Sequence, residues 1–183
     1  MDDKLPGIRR LCVAYRIEPP DGCGSGEKTA AEQRGTRAFT DVCTSLGLDR
    51  MLLDRHDAGH VGVLPVGIDE PRVVSFLVEG LARALAGLNV RFRLAFHEGV
   101  TTLATGGFGG NAIAKVSRLA ESPPLRAALA EYPRASLAVL LSAPVFEDIG
   151  PRLPADQFRQ VEIAGPGRNS RDIAWIFVPG WSG

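Results

Sequence analysis

A few groups of residues in this chain have types and spacings that could do chemistry. His56, Asp57 and His60 lie close together in sequence. On a helix, histidines at i and i+4 share a face and could ligate a metal. The Asp-Ala-Gly among them instead suits a tight turn between two short apolar runs, Met51 to Leu53 and Val61 to Val66, where such spacing fixes no geometry. His97 is a further imidazole, but its strand is expected to run antiparallel to the first and to place it near the opposite end of the sheet. These histidines therefore read as turn and surface residues. Ser25 and Ser142 lack a neighbouring His in a nucleophile-elbow pattern, so hydrolase chemistry has no support.

The run Gly107-Phe108-Gly109-Gly110-Asn111-Ala112 spells G-x-G-x-x-A ahead of a helix, the form of a dinucleotide fingerprint. In that fingerprint the turn follows its strand immediately, whereas here about eight residues intervene after the strand over 91–98. No G-K-[ST] is present, which excludes a P-loop. The segment reads as a flexible loop opening a helix, whose first N–H groups could still hold an anion.

The elements that must position these residues follow from periodicity. Ile8 to Ile17 is an apolar strand closed by Pro19-Pro20, and 19–27 is an exposed, flexible loop. Thr29 and Glu32 have capping-box spacing for a helix whose core face is Ala38, Phe39, Val42, Cys43 and Leu46, with Gly47 at its C-terminal end. A hairpin follows. Asp69 caps the next helix, with Pro71 in its first turn and Val73, Val74, Leu77, Leu81, Leu85 and Leu88 as its stripe. Residues 91–98, RFRLAFHE, alternate charged and apolar side chains, which predicts a strand with one face in water; Arg91 and Arg93, with Arg9 and Arg10, then read as solvated surface. Helices NAIAKVSRLAES and PPLRAALAEY, a strand over 136–141, and two strands, Phe158 to Ile163 and Ile173 to Val178, complete the chain. Trp175 and Trp181 read as packing anchors. The order is β-α-β-β-α-β, then α-α-β and a terminal hairpin. Its first six elements form the ferredoxin-like split βαβ arrangement, and a single α/β (α+β) domain over 1–183 is the simplest organisation.

Composition narrows the partners. The 183 residues carry 21 Lys plus Arg against 21 Asp plus Glu, so no global field drives the chain toward nucleic acid or anionic lipid. At 45% hydrophobic and 23% charged residues it can bury a core. The N-terminal residues hold no apolar signal core, and the longest uncharged apolar run, about Ala135 to Val145, falls well short of the roughly 20 residues of a membrane helix. The three cysteines, Cys12, Cys23 and Cys43, fit no zinc pattern and read as reduced thiols. The expectation is a cytoplasmic protein with no nucleic-acid or membrane partner.

From Val90 onward, RFRLAFHEGVTTLATGGFGGNAIAKVSRLAES resembles the strand, glycine loop and helix of class III nucleotidyl (adenylate/guanylate) cyclase domains. Those have a strand ending in His-x-Gly and a helix carrying V-N-x-A-x-R-L, and their core also begins β-α-β-β-α-β. The resemblance runs from about Ile8 to about Pro179, and is to the small actinobacterial cyclase-like domains in particular. It implies a homodimer and a reaction that joins a ribose 3′-oxygen to the α-phosphate, assisted by two Mg or Mn ions on two Asp. The first Asp position falls on Arg16, and a guanidinium cannot ligate a cation. Glu18 lies nearby, about 6–7 Å further along the strand on the same face. The second falls on Ala58, with Asp57 one residue away. On the helix, Arg118 matches the Arg that contacts phosphate across the dimer, while the ribose-orienting Asn is replaced by Ala114 and Asn111 comes a turn too early.

The sequence therefore predicts a catalytically degenerate cyclase-like signalling or regulatory domain that binds protein or nucleotide and needs no cofactor. One alternative is an active divergent cyclase using Asp57 and Glu18 with Mg or Mn. Another is a nucleotide or phosphate sensor built on Gly107, Gly109, Gly110, Asn111 and Arg118.

Overall fold

The computed structural model describes residues 7–19, 21–56, 59–104, 107–153, 158–167 and 169–180. Its elements are β1 (Ile8–Glu18), α1 (Ser25–Ser45), β2 (Leu52–His56), β3 (Gly59–Val63), α2 (Glu70–Leu85), β4 (Arg91–Ala104), β5 (Gly107–Gly109), α3 (Asn111–Glu121), α4 (Pro123–Glu131), β6 (Leu137–Ser142), α5 (Ala143–Ile149), β7 (Arg159–Ala164) and β8 (Arg171–Phe177). The sheet order is β2-β3-β1-β4-β6-β8-β7, with β5 paired to β4. β1 lies antiparallel between β3 and β4, with Tyr15 opposite His60 and Leu94, and Arg16 opposite Arg93. β4 and β6 run parallel, joined through α3 and α4, as a crossover between parallel strands requires.

Helices cover both faces of the sheet. Because side chains alternate along a strand, β1 sends Leu11, Val13 and Tyr15 to one face and Cys12, Ala14 and Arg16 to the other. The first set joins Phe92, Leu94 and Phe96 of β4 and packs under α1, α2 and α5. Tyr15 lies 4.3 Å from Phe39 and 5.3 Å from Phe92 between ring centroids. The second set is made of small residues: Cys12, Ala14, Ala95, Ala138 and Ala174 sit under α3 and α4 with Val116, Leu119, Leu125 and Leu129. These short side chains let α3 approach the sheet closely.

Several sequence expectations change. α1 begins at Ser25, not Thr29. Its N-cap is Gly24, and the Thr29 hydroxyl donates back to the Ser25 carbonyl, so Thr29 and Glu32 form no capping box and the last third of the expected 19–27 loop is helix. The Lys28 N–H bonds the Gly24 carbonyl at 3.0 Å, so the added turn closes on backbone alone. DRHDAGH is mostly strand, because β2 and β3 pair from Leu52↔Val63 to His56↔Gly59. The glycine-rich run is not a loose loop: Gly107–Gly109 pairs with Thr102–Ala104, using β4 beyond Phe96, where β6 has stopped pairing. The helix α5 was not expected; it follows β6 directly, with Pro in its first turn. Other expectations hold. Asp69 accepts the Arg72 N–H at the start of α2, Gly47 adopts φ +71° after α1, and Trp175 stacks on Phe146 at 4.2 Å. Trp181 lies outside the described residues.

Candidate functional site

Arg16 is the centre of the site. It stands near the C-terminal end of β1 on the face under α3, and it is 2% exposed. Ser117 and Glu121 lie one helical turn apart on α3, so they project toward the sheet together. Arg16 Nη2 donates to Ser117 Oγ at 2.9 Å and to Glu121 Oε1 at 2.5 Å, while Nε donates to the same carboxylate oxygen at 3.0 Å. Nη1 donates to the Tyr15 carbonyl. Gly59, opposite Arg16 on β3, completes the box: a Cβ there would overlap the guanidinium. The sequence indicates that Arg16 cannot bind a cation; the structure adds that its own positive charge fills the space, neutralised by Glu121.

The second guanidinium lies beside it. Arg93 is directly opposite Arg16 on β4 and 8% exposed, which corrects its reading as solvated surface. The alternation in 91–98 is genuine, but α3 and α4 cover the charged face. Arg93 Nη1 donates to the Ala120 carbonyl at 3.0 Å. Its Nε lies 2.7 Å from Glu18 Oε1, close enough for an ion pair but too bent to satisfy the N–H. Burial, together with neighbouring Arg126 and Arg16, lowers the Arg93 pKa against the opposing pull of Glu18. Arg91, on the same face, donates to the Leu129, Tyr132 and Ala135 carbonyls at the end of α4.

A second polar cluster lies at the other end of this face. Asp172 of β8 receives Lys115 Nζ at 2.8 Å and Arg118 Nη2 at 2.9 Å. Burial pushes the Asp172 carboxyl up, and these two bonds more than reverse that, leaving it below its ordinary range. His97 is 7% exposed, so it is not a surface histidine. Its Nδ1 lies 2.9 Å from Ser142 Oγ, and its Nε2 faces Gly99. Burial pushes His97 down to about 4, with Lys115, Arg118 and Arg9 adding to the effect and Asp172 opposing it. His60 is on the opposite face, stacked on Tyr15 at 4.8 Å. The sheet therefore separates His60 from His97, and among the described residues no group of three or more His, Cys, Asp or Glu could hold a metal.

The sequence-derived candidates are thus dispersed. Asp57 and Ala58 lie outside the described residues. Glu18 faces Arg93. Asn111 and Ala114 are exposed, and with the half-exposed Arg118 they follow one stripe of α3, with Gly110 as the N-cap at φ +106°. Gly107, at φ +126°, lies against the Asp54 carboxylate, where a Cβ would collide. Sequence reasoning did not find Glu121, Ser117, Asp172 or the Ser142 contact. The i, i+4 pair Ser117 and Glu121 was the one available signal. Cys12 and Cys43 are buried free thiols, both pushed up to about 12 by burial. No helix among the described residues is long and apolar enough to cross a membrane.

No protein-family model matches the sequence, and no curated protein matches it. Solved structures do match. An adenylate/guanylate cyclase/hydrolase from Silicibacter pomeroyi aligns with TM-score 0.62 at 16% identity, covering 95% of this chain and 99% of that one. The adenylyl cyclase CyaB from P. aeruginosa aligns with TM-score 0.62 at 14% identity, covering 97% and 98%. A dimeric guanylyl cyclase domain of the RhoGC fusion protein from the aquatic fungus Blastocladiella emersonii aligns with TM-score 0.61 at 10% identity, covering 92% and 95%. With its eight-stranded sheet and the βαββαβ order at its centre, the chain has the fold of the class III adenylate/guanylate cyclase catalytic domain.

Proposed function

We propose that this chain is a signalling or regulatory domain that keeps the cyclase fold without the two-metal chemistry and works by binding a nucleotide or a protein. The observation that carries the reading is the buried Arg16 guanidinium, held by Glu121 and Ser117 where the resemblance puts a metal-ligating carboxylate. A divalent ion placed there would meet a fixed positive charge at close range, an interaction strongly unfavourable in a buried setting. Glu18, the nearest replacement ligand, is engaged with Arg93. The residues described do not fit a two-metal site.

A homodimer is the proposed working form, in line with the resemblance. Structures of the RhoGC guanylyl cyclase domain include both a dimer and a monomer, so assembly in this fold is adjustable. The decisive experiment incubates purified protein with ATP or GTP and Mn, and analyses the products by chromatography. No cyclic nucleotide above the protein-free control is expected. Sustained metal-dependent formation of cyclic AMP or cyclic GMP would overturn the reading.

A further inference from the structure

The end of the sheet where β4 and β6 begin carries a local charge imbalance in a chain that is neutral overall. Two clefts lie there, of about 550 Å³ and 510 Å³, and they share Ala86, Arg134, Ala135 and Ser136, so they form one continuous trough. One wall is the end of α2 and the turn into β4; the other is the turn from α4 into β6. Arg83 and Arg134 meet at the first cleft from opposite layers, and Arg91 lines the second. Among the described residues no Asp or Glu lines either cleft.

The three arginines are not equivalent. Arg91 is engaged: half-buried, it donates to the Leu129, Tyr132 and Ala135 carbonyls, where a cation offsets the negative end of α4. Arg83 and Arg134 are exposed, and neither side chain makes an ion pair or hydrogen bond among the described residues. A recess with apolar walls focuses the field of such charges. The trough is also preformed. The Ala86 N–H bonds the Arg83 carbonyl at 3.2 Å, the Leu88 N–H the Leu85 carbonyl at 3.1 Å and the Ala135 N–H the Tyr132 carbonyl at 2.9 Å, so both turns are closed. The Phe92 N–H bonds the Ser136 carbonyl at 2.7 Å and ties the two walls together. A partner therefore meets a surface that needs little ordering.

We propose that this trough docks an acidic segment of a protein partner, one whose carboxylates alternate with apolar side chains. Planar guanidinium donors match carboxylate oxygens in pairs, and clusters of arginine are a recurring means of recognising acidic motifs. Ala82, Leu137 and Pro179 line the same cleft as Arg83 and Arg134, and they offer the partner's apolar side chain a surface that a bare inorganic anion would not use. The recess is concave, which suits a peptide chain and not a flat bilayer. The inference deepens the proposed function by naming the chemistry of the protein partner, and it rests on that reading.

The test is fluorescence anisotropy of the full chain with a dye-labelled peptide of alternating glutamate and leucine. Saturable binding is expected, and it should weaken with glutamine in place of glutamate and with serine in place of leucine. Arg83→Gln and Arg134→Gln, both at exposed positions, should each weaken it about threefold to fivefold. Arg72→Gln removes the same charge from an exposed position at the other end of α2 and should leave it nearly unchanged. Joint reversal, Arg83→Glu with Arg134→Glu, should abolish binding of the acidic peptide and confer binding of a peptide of alternating lysine and leucine. Absence of saturable binding, equal losses in Arg72→Gln and Arg134→Gln, or indifference to either peptide change would overturn the inference. So would tighter, Arg134-dependent binding to vesicles containing phosphatidylserine. Anisotropy reads no turnover, so failure here stands apart from that of the proposed function, which falls only if cyclic nucleotide is made.

Discussion

The two faces of β1 and β4 are both buried, yet they are built from opposite materials. On one face Tyr15, Phe92, Leu94 and Phe96 meet α1 and α2 as hydrocarbon and aromatic rings. On the other, Arg16, Arg93 and His97 lie among alanines beneath α3 and α4: Arg16 bonds Glu121 and Ser117, Arg93 bonds the Ala120 carbonyl and pairs with Glu18 with its Nε–H left unsatisfied, and His97 meets Ser142. Burying apolar area stabilises without needing a particular geometry. Burying charge breaks even only when each group finds its partner. The first face therefore supplies stability, and the second holds specific groups in place at a cost.

The largest loss of stability is expected on the apolar face. Phe92→Ala deletes a fully buried ring that touches Tyr15 and should destabilise by about 3–5 kcal/mol, read as a lower midpoint in urea unfolding. A loss under 1 kcal/mol would show that this face does not carry the fold.

On the polar face the effect should depend on which partner is removed. Glu121→Ala strands the buried Arg16 charge. Because the Glu121 side chain is 43% exposed, water replaces part of what is lost, and about 2–3 kcal/mol of destabilisation is expected. Arg16→Met removes the charge itself and frees Glu121 to solvent, so its effect should stay within about 1 kcal/mol. Equal losses in the two variants would show that the pair is kept for stability after all.

A smaller effect sharpens the contrast by pH. His97 is held down to about 4 in the folded chain, against about 6.5 when unfolded. The unfolded chain therefore binds the extra proton first, and stability present above about pH 6.5 is lost progressively as the pH falls toward 4. Between pH 7 and pH 5 the loss should be about 1–2 kcal/mol, and His97→Gln should abolish that portion of it. An unchanged pH slope in the variant would show that His97 is not the group responsible.

Much of this was legible beforehand, and the misses share a cause. The stripe of α2 and the run of β1 gave their elements because helix and strand periodicity is local. The alternation in 91–98 locates β4 but predicts one face in water, whereas both faces are covered. Periodicity reports that two faces differ, and it does not report what covers each. The later helices α3 and α4 return over Arg91, Arg93 and His97 and turn a solvated pattern into covered hydrogen bonds and the Arg93–Glu18 ion pair. The β5 pairing was hidden in the same way, since three residues of Gly-Phe-Gly become a strand only beside the unpaired end of β4.

By itself the sequence determined the order of the principal elements, the neutral charge that leaves no global pull toward nucleic acid, and the presence of an arginine where the resemblance requires a carboxylate. Only the tertiary structure decided what that arginine does. Glu121 and Ser117 are separated from Arg16 by 105 and 101 positions, and Asp172 from Arg118 by 54. Local spacing carries no information about such pairs. They exist because α3 packs across a sheet surface of small side chains, and once it is there, the cost of leaving a charge unpaired away from water favours these partners.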